Sequence, residues 1–208
     1  MTMLDRVLLL LTGLSAVYLI WRFWGRYSKN KALHDLYYMT GFAVLFVSGV
    51  LLIFGGWGLL ASPLVLTVAS LIPLNISMGL MNQFLPQYKK AYSWFALVGF
   101  LAIAVTSISG MALKSVAVPV FHGVAGLIIF GLPLYLCFGT KTAPKGFGAV
   151  GIGGMLIGIG GIALAFYKAG KPLFGIFTGE FILMILAPLL LLMTLAYTFG
   201  FMKDIKAG

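Results

Sequence analysis

Acidic side chains are nearly missing from this 208-residue chain. Four Asp and Glu stand against fourteen Lys and Arg, a formal charge of +10. One cysteine, Cys137, excludes an internal disulfide and any cysteine-rich metal or iron–sulfur centre. Two histidines, His34 and His122, leave few metal ligands, and no metal site is expected. Charged residues make up only 9%, far too few for the surface of a soluble domain of this size. Long polar stretches are also absent: the longest, "GRYSKNKALHD" at 25–35, is loop-sized. The chain carries no phosphate-cradling loop, no HExxH, no nucleophile elbow and no aspartate-rich metal motif, so hydrolysis and phosphoryl transfer lack their parts. Catalysis by the chain alone is not expected.

What remains is apolar. Hydrophobic residues make up 62% of the chain, and mean hydropathy is +1.10. A span needs about 20 apolar residues to cross a hydrocarbon core of about 30 Å. Seven such runs are present, at 4–24, 36–55, 62–84, 92–113, 116–138, 147–167 and 174–201. The reading is an all-α integral membrane protein, a seven-transmembrane helical bundle forming one domain over 1–208. The first run lacks a small-residue cleavage site and is read as a retained span rather than a signal peptide.

Loop charge orients the bundle. With the N-terminus outside, the inner loops hold Arg22, Arg26, Lys29, Lys31, Lys89, Lys90, Lys141, Lys145, Lys203 and Lys206, and the outer ones Arg6, Lys114, Lys168 and Lys171. Ten against four selects N-terminus outside and C-terminus inside. Trp21, Trp24, Tyr37, Tyr88, Trp94 and Tyr135 form an inner aromatic belt, with Trp57 and Tyr167 outside. The basic excess meets lipid headgroups. It is dispersed among loops rather than gathered on one face, which argues against nucleic acid.

The sixth run carries Gly151, Gly154, Gly158 and Gly161 on one helical face, and Gly175 and Gly179 form a second small-residue groove. Small residues let helix backbones approach where lipid supplies no hydrophobic drive. These glycines are therefore read as packing positions against a neighbour in this chain or a partner. No internal repeat of the inverted-repeat transporter kind is present.

Glu180 is the one carboxylate placed within a hydrophobic run. Counted as helix from Lys171 it lies roughly 13 Å in, and His122 counted from Lys114 roughly 12 Å in. The expectation is a pair in the outer half of the membrane, lined by Thr178, Ser107, Ser109 and Thr106, as a proton or quinone site. The bland alternative is that each group bonds a backbone carbonyl. Asn75, in "LIPLNISMGLMNQF", is expected near mid-membrane and needs a hydrogen-bond partner, with Pro73, Pro133 and Pro188 as candidate kinks. Asp35 with His34 reads as a solvated or capping pair, and Asp5 and Asp204 read as solvated.

His34 and His122 differ by roughly 20 Å in height, so they cannot hold one haem. A haem or chlorophyll through His122 alone has little support. No lysine falls within 174–201, which excludes a rhodopsin-like Schiff base in the last span. "FLPQYKK" holds a Pro-Gln pair, but the second copy that PQ-loop transporters carry is missing. Three functions stay open. The first is a subunit of an energy-transducing or redox membrane complex, with other integral subunits as partners and a quinone as possible ligand, in a prokaryotic cytoplasmic membrane. The others are a small proton- or cation-coupled transporter or channel, and a structural anchor or assembly factor.

Overall fold

The computed structural model describes residues 1–168, 170 and 173–207. Lys171 lies outside the described residues, as do the side chains of Tyr167 and Lys168. Seven long helices account for nearly all of it: α1 (Met3–Asn30), α2 (Leu33–Gly55), α3 (Pro63–Phe84), α4 (Lys89–Ile108), α5 (Lys114–Leu134), α6 (Gly148–Lys168) and α7 (Gly179–Ala207). Each corresponds to one of the seven apolar runs, and all seven are long and apolar enough to cross a membrane. No strand occurs among the described residues.

Local chemistry explains the helix ends. Thr2 and Asp5 form a reciprocal cap at the start of α1: the Thr2 amide donates to Asp5 Oδ2 at 2.7 Å, and the Asp5 amide donates to Thr2 Oγ1 at 3.1 Å. Lys31 ends α1 in the left-handed region, its N–H donating to the Tyr27 carbonyl. Gly56 (φ 73°) turns the chain between α2 and α3, and Pro63 opens α3 at a position that needs no N–H donor.

The helices form a ring in the order α1, α2, α3, α5, α6, α7, with α7 closing on α1. Helix α4 packs in the crevice between α3 and α5. At one end of the ring the interior is filled by Phe23, Tyr38, Phe42, Phe147, Tyr197 and Phe201, each no more than 2% exposed. Phe201 is the hub: its ring meets Phe23 edge-on at 5.2 Å and Phe42 edge-on at 5.8 Å. Each such edge-to-face pair contributes about 0.5–1.5 kcal/mol beyond area burial. Ten of the fourteen basic residues belong to this same end, called here the basic end.

Helix α7 differs from its expected span. It begins at Gly179 rather than 174 and runs to Ala207 rather than 201. Before it, Gly170 (φ 74°), Phe174 (φ 53°) and Gly175 (φ 70°) turn the backbone through conformations that a helix cannot continue. The chain from Leu173 to Gly179 is therefore not one continuous helix, and the depth of roughly 13 Å counted for Glu180 along a helix is corrected. Glu180 sits in the first turn of α7 and is exposed. Thr178 Oγ1 accepts from the Phe181 amide at 3.3 Å just before it. A carboxylate in a first turn opposes the partial positive charge of the helix N-terminus, which explains Glu180 without any buried partner.

The glycines of α6 serve two neighbours. A Cβ at Gly151 would lie 2.6 Å from the Phe130 carbonyl oxygen of α5, and one at Gly154 would lie 3.0 Å from the Phe130 nitrogen. On the other side, a Cβ at Gly153 would lie 3.0 Å from the Met193 carbonyl oxygen of α7. A Cβ at Gly158 or Gly161 would meet no atom of the described residues within 4 Å. The expected four-glycine face thus packs over its first half and is open over its second. Gly175 lies in the turn before α7 and also meets nothing within 4 Å, while Gly179 is the first residue of α7.

Candidate functional site

The ionic centre of the molecule is at the basic end. Arg26, in the last turns of α1, turns its guanidinium inward under the aromatic core, 5.5 Å from the Phe23 ring centroid. Its Nε donates to Asp35 Oδ1 at 2.8 Å, and Nη2 lies 2.6 Å from the same oxygen without hydrogen-bond alignment. Its Nη1 donates to Asp204 Oδ2 at 2.6 Å. Gln83 Nε2 reaches both Asp204 oxygens, at 2.9 and 3.0 Å, and Gln83 Oε1 accepts from the Tyr38 hydroxyl at 2.9 Å. His34 Nε2 stands 3.8 Å from Asp35 Oδ1.

Four helices converge here: α1 through Arg26, α2 through Asp35 and Tyr38, α3 through Gln83 and α7 through Asp204. The side chains of Arg26 and Asp204 are each 8% exposed, and that of Asp35 is fully buried. One guanidinium between two carboxylates leaves a formal charge of −1 with His34 counted neutral. Asp35 Oδ2 accepts no hydrogen bond among the described residues. Asp35 stands in the first turn of α2, where α2 has no side-chain capping bond, and its burial with that of Asp204 corrects the solvated half of the first reading and the whole of the second. In an apolar interior a carboxylate needs a counter-charge and donors, and Arg26 and Gln83 supply them.

The network has a signature in sequence, although hydropathy misses it. Tyr197, Phe201 and Asp204 recur at i, i+4 and i+7; Asp35, Tyr38 and Phe42 at i, i+3 and i+7; Phe23 and Arg26 at i and i+3. Each charged residue therefore shares a helical face with buried aromatics.

The outer group expected from sequence is not assembled in the same way. His122 is half-buried on α5, with Nδ1 enclosed and free of hydrogen bonds among the described residues. Glu180 is on α7, and α6 packs between α5 and α7. No hydrogen bond or ion pair joins His122 to Glu180 among the described residues. Thr178 is exposed beside Glu180. Ser107 is buried near the end of α4 with its hydroxyl unpartnered, whereas Ser109 is exposed just beyond that end. Thr106 donates to the Ala102 carbonyl at 2.7 Å. Asn75 finds its partner within its own helix, Nδ2 donating to the Leu71 carbonyl at 2.8 Å. A further buried bond, Tyr92 hydroxyl to Ser77 Oγ at 2.8 Å, ties α4 to α3.

Among the described residues no group of three or more His, Cys, Asp or Glu could hold a metal ion. Comparison with protein-family models, with curated proteins and with solved structures finds no match to this chain.

Proposed function

We propose that this chain is an integral membrane protein, N-terminus outside and C-terminus inside, that couples to a proton or small cation at Arg26, Asp35 and Asp204. One observation carries the reading: two carboxylates from different helices share a single buried guanidinium, leaving one uncompensated negative charge. The centre stands at the mouth of the bundle, at the boundary level, where buried ionisable groups can receive an ion entering or leaving a membrane path. A cation arriving at Asp35 and Asp204 competes with Arg26 for the same oxygens. Weakening either arm of the pair loosens the hold of α1 on α2 or α7. The aromatic core beside the centre closes the route in this conformation, so passage requires α7 to move, and Pro188 supplies a kink position within it. The protein is thus a small cation-coupled carrier of a prokaryotic cytoplasmic membrane.

The test is flux in proteoliposomes loaded with proton- or sodium-sensitive dye. The wild type is expected to dissipate an imposed proton or sodium gradient. D204N should keep its helical spectrum and monodisperse elution and lose the flux. A folded wild type that moves neither ion, or a D204N protein with undiminished flux, overturns the reading.

A second reading, a subunit of a larger energy-transducing or redox complex, is favoured by the open half of α6 at Gly158 and Gly161. A partner helix could approach closely there. Its quinone component loses support, because the acid meant for an outer-half site stands at an exposed helix tip. Mass spectrometry of the protein extracted from native membranes tests it: stoichiometric membrane partners support a subunit, and a lone chain opposes it.

A further inference from the structure

A groove runs along the outside of the bundle between α1 and α7, distant in character from the ionic centre. These two helices are parallel, with Leu11 level with Leu191 and Arg26 level with Asp204. The groove has two continuous segments, of about 340 and 380 Å³, that share Tyr18, Leu195 and Thr198. Both segments are shallow and open along the outer face of the bundle rather than enclosed. Its walls are largely apolar, and two of its three hydroxyls, those of Ser15 and Thr198, already donate to backbone carbonyls, leaving that of Tyr18. Ser15 donates to the Leu11 carbonyl at 2.9 Å, and Thr198 to the Thr194 carbonyl at 2.8 Å. At the basic end the groove terminates at Lys203 and Lys206, both exposed.

We propose that this groove is a specific site for an anionic phospholipid, one acyl chain lying along Leu191–Met202 and the phosphate held by Lys203 and Lys206. Length supports it. From Leu191 to Met202 is eleven helical steps, about 16 Å at 1.5 Å per residue, and one leaflet's hydrocarbon is about 15 Å. Depth supports it independently. Trp21 and Trp24, 64% and 57% exposed on α1, sit at the level of Phe199–Met202 and mark a membrane–water boundary where the lysines begin.

Charge fixes the headgroup class. Of the four acids, Asp35 and Asp204 are buried in the ionic centre, while Asp5 and Glu180 stand at the opposite end. Among the described residues no side-chain carboxylate pairs with Lys203 or Lys206. The lining chooses lipid over a partner helix. Leu14, Tyr18, Leu195 and Phe199 are bulky, whereas helix–helix contacts in membranes favour small residues that admit a backbone. Basic pockets between helices at the cytoplasmic level are recurring sites for acidic headgroups.

The experiment is titration of the delipidated full chain in detergent with phosphatidylglycerol and, separately, phosphatidylcholine, with bound lipid counted by native mass spectrometry. The wild type is expected to retain one phosphatidylglycerol in preference to phosphatidylcholine. K203Q/K206Q should bind phosphatidylglycerol about thirtyfold more weakly, the worth of two headgroup-level lysines. T198W, which fills the groove and leaves the lysines, should lose both lipids. Lipid-free melting temperatures confirm that each variant folds. Equal retention of the two lipids by the wild type, or unchanged phosphatidylglycerol binding in folded K203Q/K206Q or T198W, overturns the proposal. So does recovery of a second polypeptide seated in the groove in place of lipid.

Discussion

Replacing Arg26 by Met tests the ionic centre most directly. The methionine keeps an apolar stem of comparable length beneath Phe23 and removes the guanidinium. Asp35, fully buried, then loses its ion pair and its hydrogen bond from Nε, and Asp204 keeps only Gln83. Breaking a buried pair by removing one partner costs about 3–5 kcal/mol, because the remaining charge stays desolvated. Here two carboxylates are orphaned at once, so the upper part of that range applies. For chains of about 150–250 residues each kcal/mol moves the melting temperature by about 2–4 °C, so about 4–5 kcal/mol gives a loss of about 8–20 °C. The assay is thermal unfolding in mild detergent, followed by circular dichroism. The reasoning also fixes the sign of a compensating change. Adding D35N and D204N to R26M removes the orphaned charges and should recover more than half of the loss, whereas R26K, keeping a charge but not the fork geometry, should fall between. An R26M protein melting within about 2 °C of wild type would refute the claim that this centre holds the bundle together. A triple variant no better than R26M would show that orphaned charge is not the reason.

Smaller perturbations read individual contacts. Y38F removes the donor to Gln83 and should cost about 0.5–1.5 kcal/mol by the same melt. G79A places a methyl against the Tyr38 ring, with Cδ1 only 2.6 Å from the new carbon, and should cost about 1–3 kcal/mol while disturbing the same hydrogen bond. Two glycines of one face should give opposite results. G151A drives a methyl into the Phe130 carbonyl and should destabilise by about 1–3 kcal/mol, whereas G161A meets nothing among the described residues and should be neutral or gain up to about 1 kcal/mol. E180Q, at an exposed first turn, should shift stability by no more than about 1 kcal/mol.

Amino-acid order alone determined the seven helices, because hydropathy is summed over some twenty neighbouring residues and needs no distant partner; their limits were less determined, α1 running to Asn30 rather than 24 and α4 stopping at Ile108 rather than 113. Turn chemistry is equally local: Gly56 at φ 73° and Pro63 at the first position of α3 break the chain between α2 and α3. The start of α7 was less legible. An apolar stretch such as 172–179 has the composition of a span whether it is helix or turn, and Phe174 at φ 53° shows how little side-chain hydropathy reports of the backbone. That one displacement moved Glu180 from an interior acid to a helix tip. The ionic centre required the tertiary fold. Arg26 and Asp204 lie 178 positions apart and meet only because α7 closes the ring against α1. Near a chain end, an aspartate has the same sequence surroundings whether solvent or an arginine awaits it. Burial was decided by the packing of Phe23, Tyr38 and Phe201 around it, a long-range arrangement that no local window contains.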